Sequence, residues 1–288
     1  MSSAGLKAAA GAIRATHYEV IPAPSAEDSV LEWVPRDITV TVTASPTKGL
    51  NTTLQLAETL AGHGYHAVPH VSARLVRDAG HLREIVARLT ERGIRDVFVP
   101  AGDADPPAGA FESALELLTE LDALGRPFER VGITGYPETH PLIDDDVTIQ
   151  AMWDKRRYAT YIVSNLCFDP ATLRKWIHRV RARGVTLPLR LGLAGPVERT
   201  KLVAMASRIG LEDSARFLKR HRSWIFRFGA PGGYNPTRLL DRIGPTLADP
   251  ASVVEGLHVF TFNQVRETEL WRRELLERIG EGVNPSVG

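Results

Sequence analysis

The stretch "RDVFVPAGDADPPAGAFESALELLTELDALGRPFERVGITGYP" (95–137) decides the fold. Its opening run, "DVFVPAG" (96–102), is short and rich in valine and phenylalanine, and it breaks at Gly102-Asp103 followed by Pro106-Pro107. An amphipathic stretch, "AFESALELLTELDALG" (110–125), then ends at a glycine, and a second β-rich run, "RVGITGYP" (130–137), follows. Near-continuous apolar runs separated by helical patterns are the signature of parallel strands covered by helices.

The same rhythm extends in both directions. Upstream runs are "HYEVIP" (17–22), "DITVTVT" (37–43) and "HAVPHV" (66–71); downstream runs are "ATYIVSN" (159–165), "LPLRLGLA" (187–194) and "GLHVFTFN" (256–263). With the two central runs this makes eight strands, and helical patterns lie between them. "NTTLQLAETLAGHG" (51–64) starts on Asn/Thr and ends at Gly62 and Gly64, and "HLREIVARLTERG" (81–93) stops at Gly93. "DPATLRKWIHRVRARG" (169–184) opens with Asp169-Pro170 and carries basic residues in its last turn. Eight strand–helix units predict an α/β fold, a (β/α)8 TIM barrel, with an open doubly wound sheet as the alternative. "MSSAGLKAAAGAIRATH" (1–17) reads as an N-terminal helix or arm, and "LEDSARFLKRH" (211–221) as an extra helix after strand seven. No linker divides the chain, so residues 1–288 are expected to form one barrel domain.

Composition narrows the function. A formal net charge of +1 gives no electrostatic case for nucleic acid or an anionic membrane as partner. No apolar run approaches the length of a membrane span. A lone cysteine, Cys167, excludes an internal disulfide framework and suits a cytoplasmic location. Neither a dinucleotide fingerprint nor a P-loop is present.

In such barrels the working residues stand at the C-terminal ends of strands. Glu19 lies among apolar neighbours on the first strand; facing inward it suits a general acid, whereas facing outward or paired with a buried arginine it would be structural. Asp103 follows the fourth strand, and a plain turn aspartate is its alternative reading. Thr43, His70, Tyr136, Glu138, His140, Asn165, Thr261 and Asn263 complete the strand ends. No metal site is expected: His66 and His70 stand about 13 Å apart at roughly 3.3 Å per residue, too far to share an ion. His63 and His66 read as surface residues, Asp144 to Asp146 as a helix start, and Cys167 as packing.

Taken in order, these strand ends resemble the methylenetetrahydrofolate reductase family. "YEVIPAP" is similar to its F-E-F-x-P-P opening, "VPHVSA" to A-P-H-L-T, and "PAGDADPP" to R-G-D-x-P. "GYPETHP" is similar to Y-P-E-x-H-P, "SNLCFD" to T-Q-x-x-F-D, and "VFTFN" to F-Y-T-L-N. The resemblance implies a folate substrate, with Glu19 protonating the folate nitrogen as the substrate ring opens. Asp103 would hold the pterin and stabilise the iminium cation, and Asn165 would stand at the pterin-binding glutamine. Thr43, His70, Gly102, Tyr136 and His140 would line the cofactor.

The departures fall on the flavin side. Ala101 replaces the arginine before Gly-Asp, "TASP" (43–46) replaces T-Y/W-G-A, and "DKRRYATY" (154–161) replaces a D-A-G-A stretch. Lys155, Arg156 and Arg157 are the candidates for a lysine contact there. The expectation is a reductase using NADH, or NADPH, with FAD weakly held or absent and hydride passed directly to the iminium. Two readings compete: a folate-binding paralogue without activity, and a carboxylate-based hydrolase or lyase built on Glu19, Asp103 and Glu138.

Overall fold

A computed structural model describes residues 4–137, 145–197 and 234–280. Eight parallel strands run β1 (Thr16–Val20), β2 (Thr39–Val42), β3 (Ala67–Pro69), β4 (Asp96–Phe98), β5 (Arg130–Gly135), β6 (Tyr161–Ser164), β7 (Leu189–Ala194) and β8 (Val254–Phe260). Their order is β3-β2-β1-β8-β7-β6-β5-β4. Between the two ends of that sheet, the His70–Phe98 bridge and the Val71 N–H donating to the Phe98 carbonyl at 2.8 Å close the ring. Each expected strand is present, and the (β/α)8 barrel is the fold.

The helices are α1 (Ala4–Ala8), α2 (Ala10–Arg14), α3 (Ala26–Trp33), α4 (Gly49–Gly62), α5 (Ala79–Glu91), α6 (Ala114–Ala123), α7 (Asp145–Lys155), α8 (Pro170–Ala182), α9 (Thr237–Ala248) and α10 (Val265–Arg278). Capping follows local chemistry. Asp78 and Asp169 accept backbone N–H groups at the starts of α5 and α8, and Ser113 with Glu116 forms a reciprocal box at α6. The Asn51-Thr52 signal is one correction. The α4 helix starts at Gly49, because the Thr52 hydroxyl bonds back to the Lys48 carbonyl and Asn51 Oδ1 accepts from Arg88 instead. The expected helix at 211–221 lies outside the described residues.

Apolar burial holds the layers together. The outer faces of the strands pack against helices: Tyr18, Val20, Val40, Val42, Ile133, Ile162 and Leu191 are buried, and Trp176 of α8 covers Gly135 of β5. Each such side chain contributes on the order of 1.5–3 kcal/mol by leaving water. The N-terminal arm also belongs to the fold: Gly5 of α1 and Gly244 of α9 touch backbone to backbone, where a Cβ on Gly244 would sit 1.8 Å from the Gly5 carbonyl oxygen.

The barrel interior has three levels. At the N-terminal ends of the strands lies a charged layer. Arg130 and Arg190 both meet Glu255 Oε1, at 2.8 and 2.9 Å, and Arg130 also faces Asp96 at 3.4 Å. Tyr161 donates to Asp96 at 2.9 Å, and Arg190 donates to the Ala15 carbonyl, tying the arm under the barrel. Burial raises Asp96 to about 6, against the pull of Tyr161, Arg130 and Arg190. Above this layer Val68, Phe98, Tyr161 and Val163 form a small apolar cluster. The third level, at the C-terminal ends, is the mouth.

Candidate active site

β1 alternates strictly. Tyr18 turns outward, donating to Glu269 of α10 at 2.7 Å, so its neighbours His17 and Glu19 turn inward. Glu19 retains 14% side-chain exposure at the mouth, and a 2.9 Å hydrogen bond joins its Oε2 to His258 Nε2. His70 Nε2 lies 3.7 Å from the same oxygen. The histidine rings are buried, His70 against Phe98 at 4.7 Å and His258 against Phe260 at 4.9 Å. Glu19 thus faces the barrel axis and meets two imidazoles there.

Burial pushes His70 down to about 4; Glu19 pulls it back up and His258 adds to the lowering. It is therefore neutral at neutral pH. Its 3.7 Å approach to Glu19 is a polar contact, not a charge pair.

The end of β1 is fixed from β8. The Thr261 hydroxyl donates to the Glu19 carbonyl at 2.6 Å. The Asn263 amide brackets Ile21, accepting from its N–H at 2.8 Å and donating to its carbonyl at 2.9 Å. Phe262 and Asn263 both take left-handed backbone to make this turn. "FTFN" is a clamp on the strand that carries Glu19.

Asp103 stands exposed in the loop after β4, and its charge, second to burial, raises Tyr136 above the usual tyrosine range. Two expected residues are thereby brought near one another at the β4 and β5 ends. Arg74, just past β3, braces that loop: its Nε donates to the Ala104 carbonyl at 2.6 Å, and its guanidinium meets Asp105 at 3.5 Å. Gly102 is in left-handed backbone (φ 89°), and a Cβ there would lie 1.8 Å from Ser72 Oγ. The left-handed backbone favours glycine there, and Ser72 occupies the space a side chain would take. Thr43, half-buried, accepts from the Thr53 hydroxyl through its carbonyl, and Asn165, exposed beyond β6, accepts from the Leu166 N–H at 2.8 Å. Glu138 and His140 lie outside the described residues.

Lys155, Arg156 and Arg157 are corrected. Lys155 ends α7, and Arg156 and Arg157 lie between it and β6, at the end of the barrel opposite the mouth, where Arg156 stacks on Trp153 at 3.4 Å and Arg157 on Tyr158 at 4.5 Å. Burial lowers Lys155 to about 8, but it cannot reach a ligand at the strand C-termini. His63 is a surface residue facing Glu27 at 3.4 Å. His66 is half-exposed and faces Asp96 at 3.7 Å. Cys167 is buried, its Sγ 3.5 Å from the Asp169 carbonyl. No group of three metal-ligating side chains gathers among the described residues. No helix among them is long and apolar enough to cross a membrane.

Sequence reasoning missed His258, His17 and Arg74. The signal for His258 was available: in "GLHVF" the outward set Leu257 and Val259 leaves His258 and Phe260 for the interior.

The chain is thus a (β/α)8 barrel protein with an inward glutamate on its first strand and an exposed aspartate in the loop after its fourth. The family model of methylenetetrahydrofolate reductase matches residues 25–210, and the chain belongs to that family. Methylenetetrahydrofolate reductase 2 of Saccharomyces cerevisiae (strain ATCC 204508 / S288c) is 28% identical over 101 residues. That match spans 33% of this chain and 17% of the yeast protein. Among solved structures, a protein of Burkholderia cenocepacia J2315 assigned provisionally as a lyase/mutase superposes with a TM-score of 0.50 at 16% identity, covering 98% of this chain and 94% of that one. This second likeness concerns the fold alone.

Proposed function

We propose that this protein reduces 5,10-methylenetetrahydrofolate to 5-methyltetrahydrofolate, with NADH or NADPH as hydride source and without a bound flavin. The observation that carries the reading is Glu19 at the end of β1, one carboxylate oxygen 2.9 Å from His258 and 3.7 Å from His70, in a chain of this family. Ring opening needs a proton at the departing folate nitrogen, and an inward, largely enclosed carboxyl with a hydrogen-bonded imidazole suits that task. Glu19 gives its proton to the nitrogen as the carbon–nitrogen bond breaks, and the bonding pair stays on nitrogen. Asp103 then opposes the positive charge of the remaining iminium. Reduced nicotinamide supplies the hydride that turns the methylene carbon into a methyl group.

Three flavin-side positions support a reading without flavin. The space that Gly102 leaves open is filled by Ser72 Oγ, the position before it is Ala101 without a cation, and His70 is buried against Phe98 and Glu19. These features favour direct hydride transfer, and no step is assigned to flavin. The test is oxidation of NADH by purified protein with and without methylenetetrahydrofolate, and with and without added FAD. Folate-dependent turnover that FAD does not accelerate is expected. Turnover only with FAD would refute direct transfer, and folate binding with no turnover under any condition would refute the enzyme.

A further inference from the structure

Each cycle of the proposed reaction removes one proton from Glu19, and that proton must be replaced before the next. The structure offers a route from below. His258 Nε2 touches Glu19, and His258 Nδ1 is buried with no hydrogen-bond partner among the described residues. His17 is the direct register partner of His258 on the adjoining strand β1, its side chain is inward and buried, and its Nδ1 is likewise without a partner. Thr39 of β2 is the register partner of His17 on its other side, and the Thr39 hydroxyl sits 3.1 Å from His66 Nδ1. His66 keeps 50% of its side chain in solvent. Register-paired, enclosed histidines thus descend from Glu19 toward a solvent-accessible imidazole at the opposite end, and the unpartnered ring nitrogens of His258 and His17 leave polar gaps that a bridging water would fill.

We propose that His258 and His17 form a proton relay that recharges Glu19 from the closed end of the barrel. The inference rests on the reductase reading for its purpose. After Glu19 has protonated the folate nitrogen, its carboxylate takes the Nε2 proton of His258. His258 Nδ1 takes a proton from His17 across the gap between them, His17 takes one from His66 by way of the Thr39 hydroxyl, and His66 takes one from water; each ring then returns to its starting tautomer, with Nε2 of His258 protonated again, before the next cycle. No electron moves in these steps. The titratable and charged groups around the line are Glu19 on β1, neutral His70 just past β3, Asp96 on β4, Arg130 on β5 and Arg190 on β7. Burial, followed by Arg190, lowers His17 well below the ordinary histidine range, so it passes protons as a neutral imidazole and does not store them. Both are positioning residues, since neither is proposed to touch substrate.

Stopped-flow kinetics separates the relay from a structural role. His17→Gln contacts neither Glu19 nor the mouth. It should complete its first turnover at the wild-type rate, because the relay acts only after Glu19 has given up its proton, and then slow about tenfold, a modest part of the 10²–10⁴ that proton transfer typically supplies. Only the slow phase should show an enlarged solvent-deuterium effect. First and later turnovers slowed equally, or not at all, would overturn the relay. A second measurement needs no turnover: in ¹⁵N-imidazole spectra, Glu19→Gln should shift the ring nitrogens of both His258 and His17. A His17 signal that does not respond overturns the relay by itself. A wild-type protein lacking folate-dependent NADH oxidation would sink the reductase reading, while the spectra would still decide the relay.

Discussion

Glu19 carries the acid step of the proposed reaction, and imidazoles from β8 and from just past β3 converge on one of its carboxyl oxygens. Glu19→Gln keeps the shape and the hydrogen bond to His258 but removes the acid. Folate-dependent NADH oxidation is expected to fall roughly 10²–10⁴-fold in kcat, with KM little changed. Steady-state kinetics checks this; a variant with wild-type kcat would remove Glu19 from the acid role. His70 carries a consequence for stability. Its folded pKa of about 4 lies below the ordinary histidine value near 6.5. Between those values the unfolded chain binds the proton and the folded one does not, so stability is lost as pH falls from about 6.5 toward about 4. His17 acts in the same sense. Asp96, raised to about 6, acts in the opposite sense over its own window above the ordinary aspartate value of 3.8. His66 and His81, lowered by burial as well, add to the two histidines, and four against one aspartate leave a net fall toward acid. Urea midpoints measured from pH 7 to pH 4.5 should decrease, and Asp96→Asn should steepen the decrease.

The elements show what a single sequence makes legible. Strand positions could be read because each is a short apolar run bounded by turn residues, and helix ends because Asp78, Asp169 and glycines such as Gly184 mark them. The inward polar residues were hidden by the same runs. Arg190 sits in "LPLRLGLA" and His258 in "GLHVFTFN", and only the alternation of faces, fixed by pairing with neighbours, says which side they take. Contacts across elements were illegible for another reason: Arg74 and the Asp103 loop are joined only once β3 and β4 lie side by side. Arg74→Met should release that loop from the Ala104 carbonyl and Asp105. The expected outcome is a KM for the folate several-fold higher with kcat less affected. A similar separation holds for α10, where buried Glu269 accepts from Tyr18, Arg272 and Arg273. Glu269→Gln leaves two guanidinium groups short of an anion and should cost on the order of 3 kcal/mol in urea unfolding.

At the scale of the whole molecule the barrel is polarised. Its mouth carries Glu19, Asp103 and Tyr136 on strand ends and loops, whereas the opposite end is closed by the charged layer and by the N-terminal arm. Arg190 holds the Ala15 carbonyl, and a Cβ on Gly256 would lie 2.1 Å from that same oxygen, so the chain passes tightly under β8 before entering β1. The arm is anchored a second time where Gly5 meets Gly244. Under the proposed function, stability and chemistry draw on opposite ends of one structure, as general experience with (β/α)8 barrels leads one to expect. Gly244→Val tests the separation. Its side chain collides with backbone, which cannot give way as a flexible side chain would, so α1 must lift from α9 at a cost of about 1–3 kcal/mol. Hydrogen exchange should accelerate over residues 4–14, and the urea midpoint should fall. The KM for the folate should stay at its wild-type value, because the α1–α9 contact lies away from the strand ends that form the mouth. A changed KM with unaltered exchange in the arm would mean that the two ends are coupled through the barrel wall.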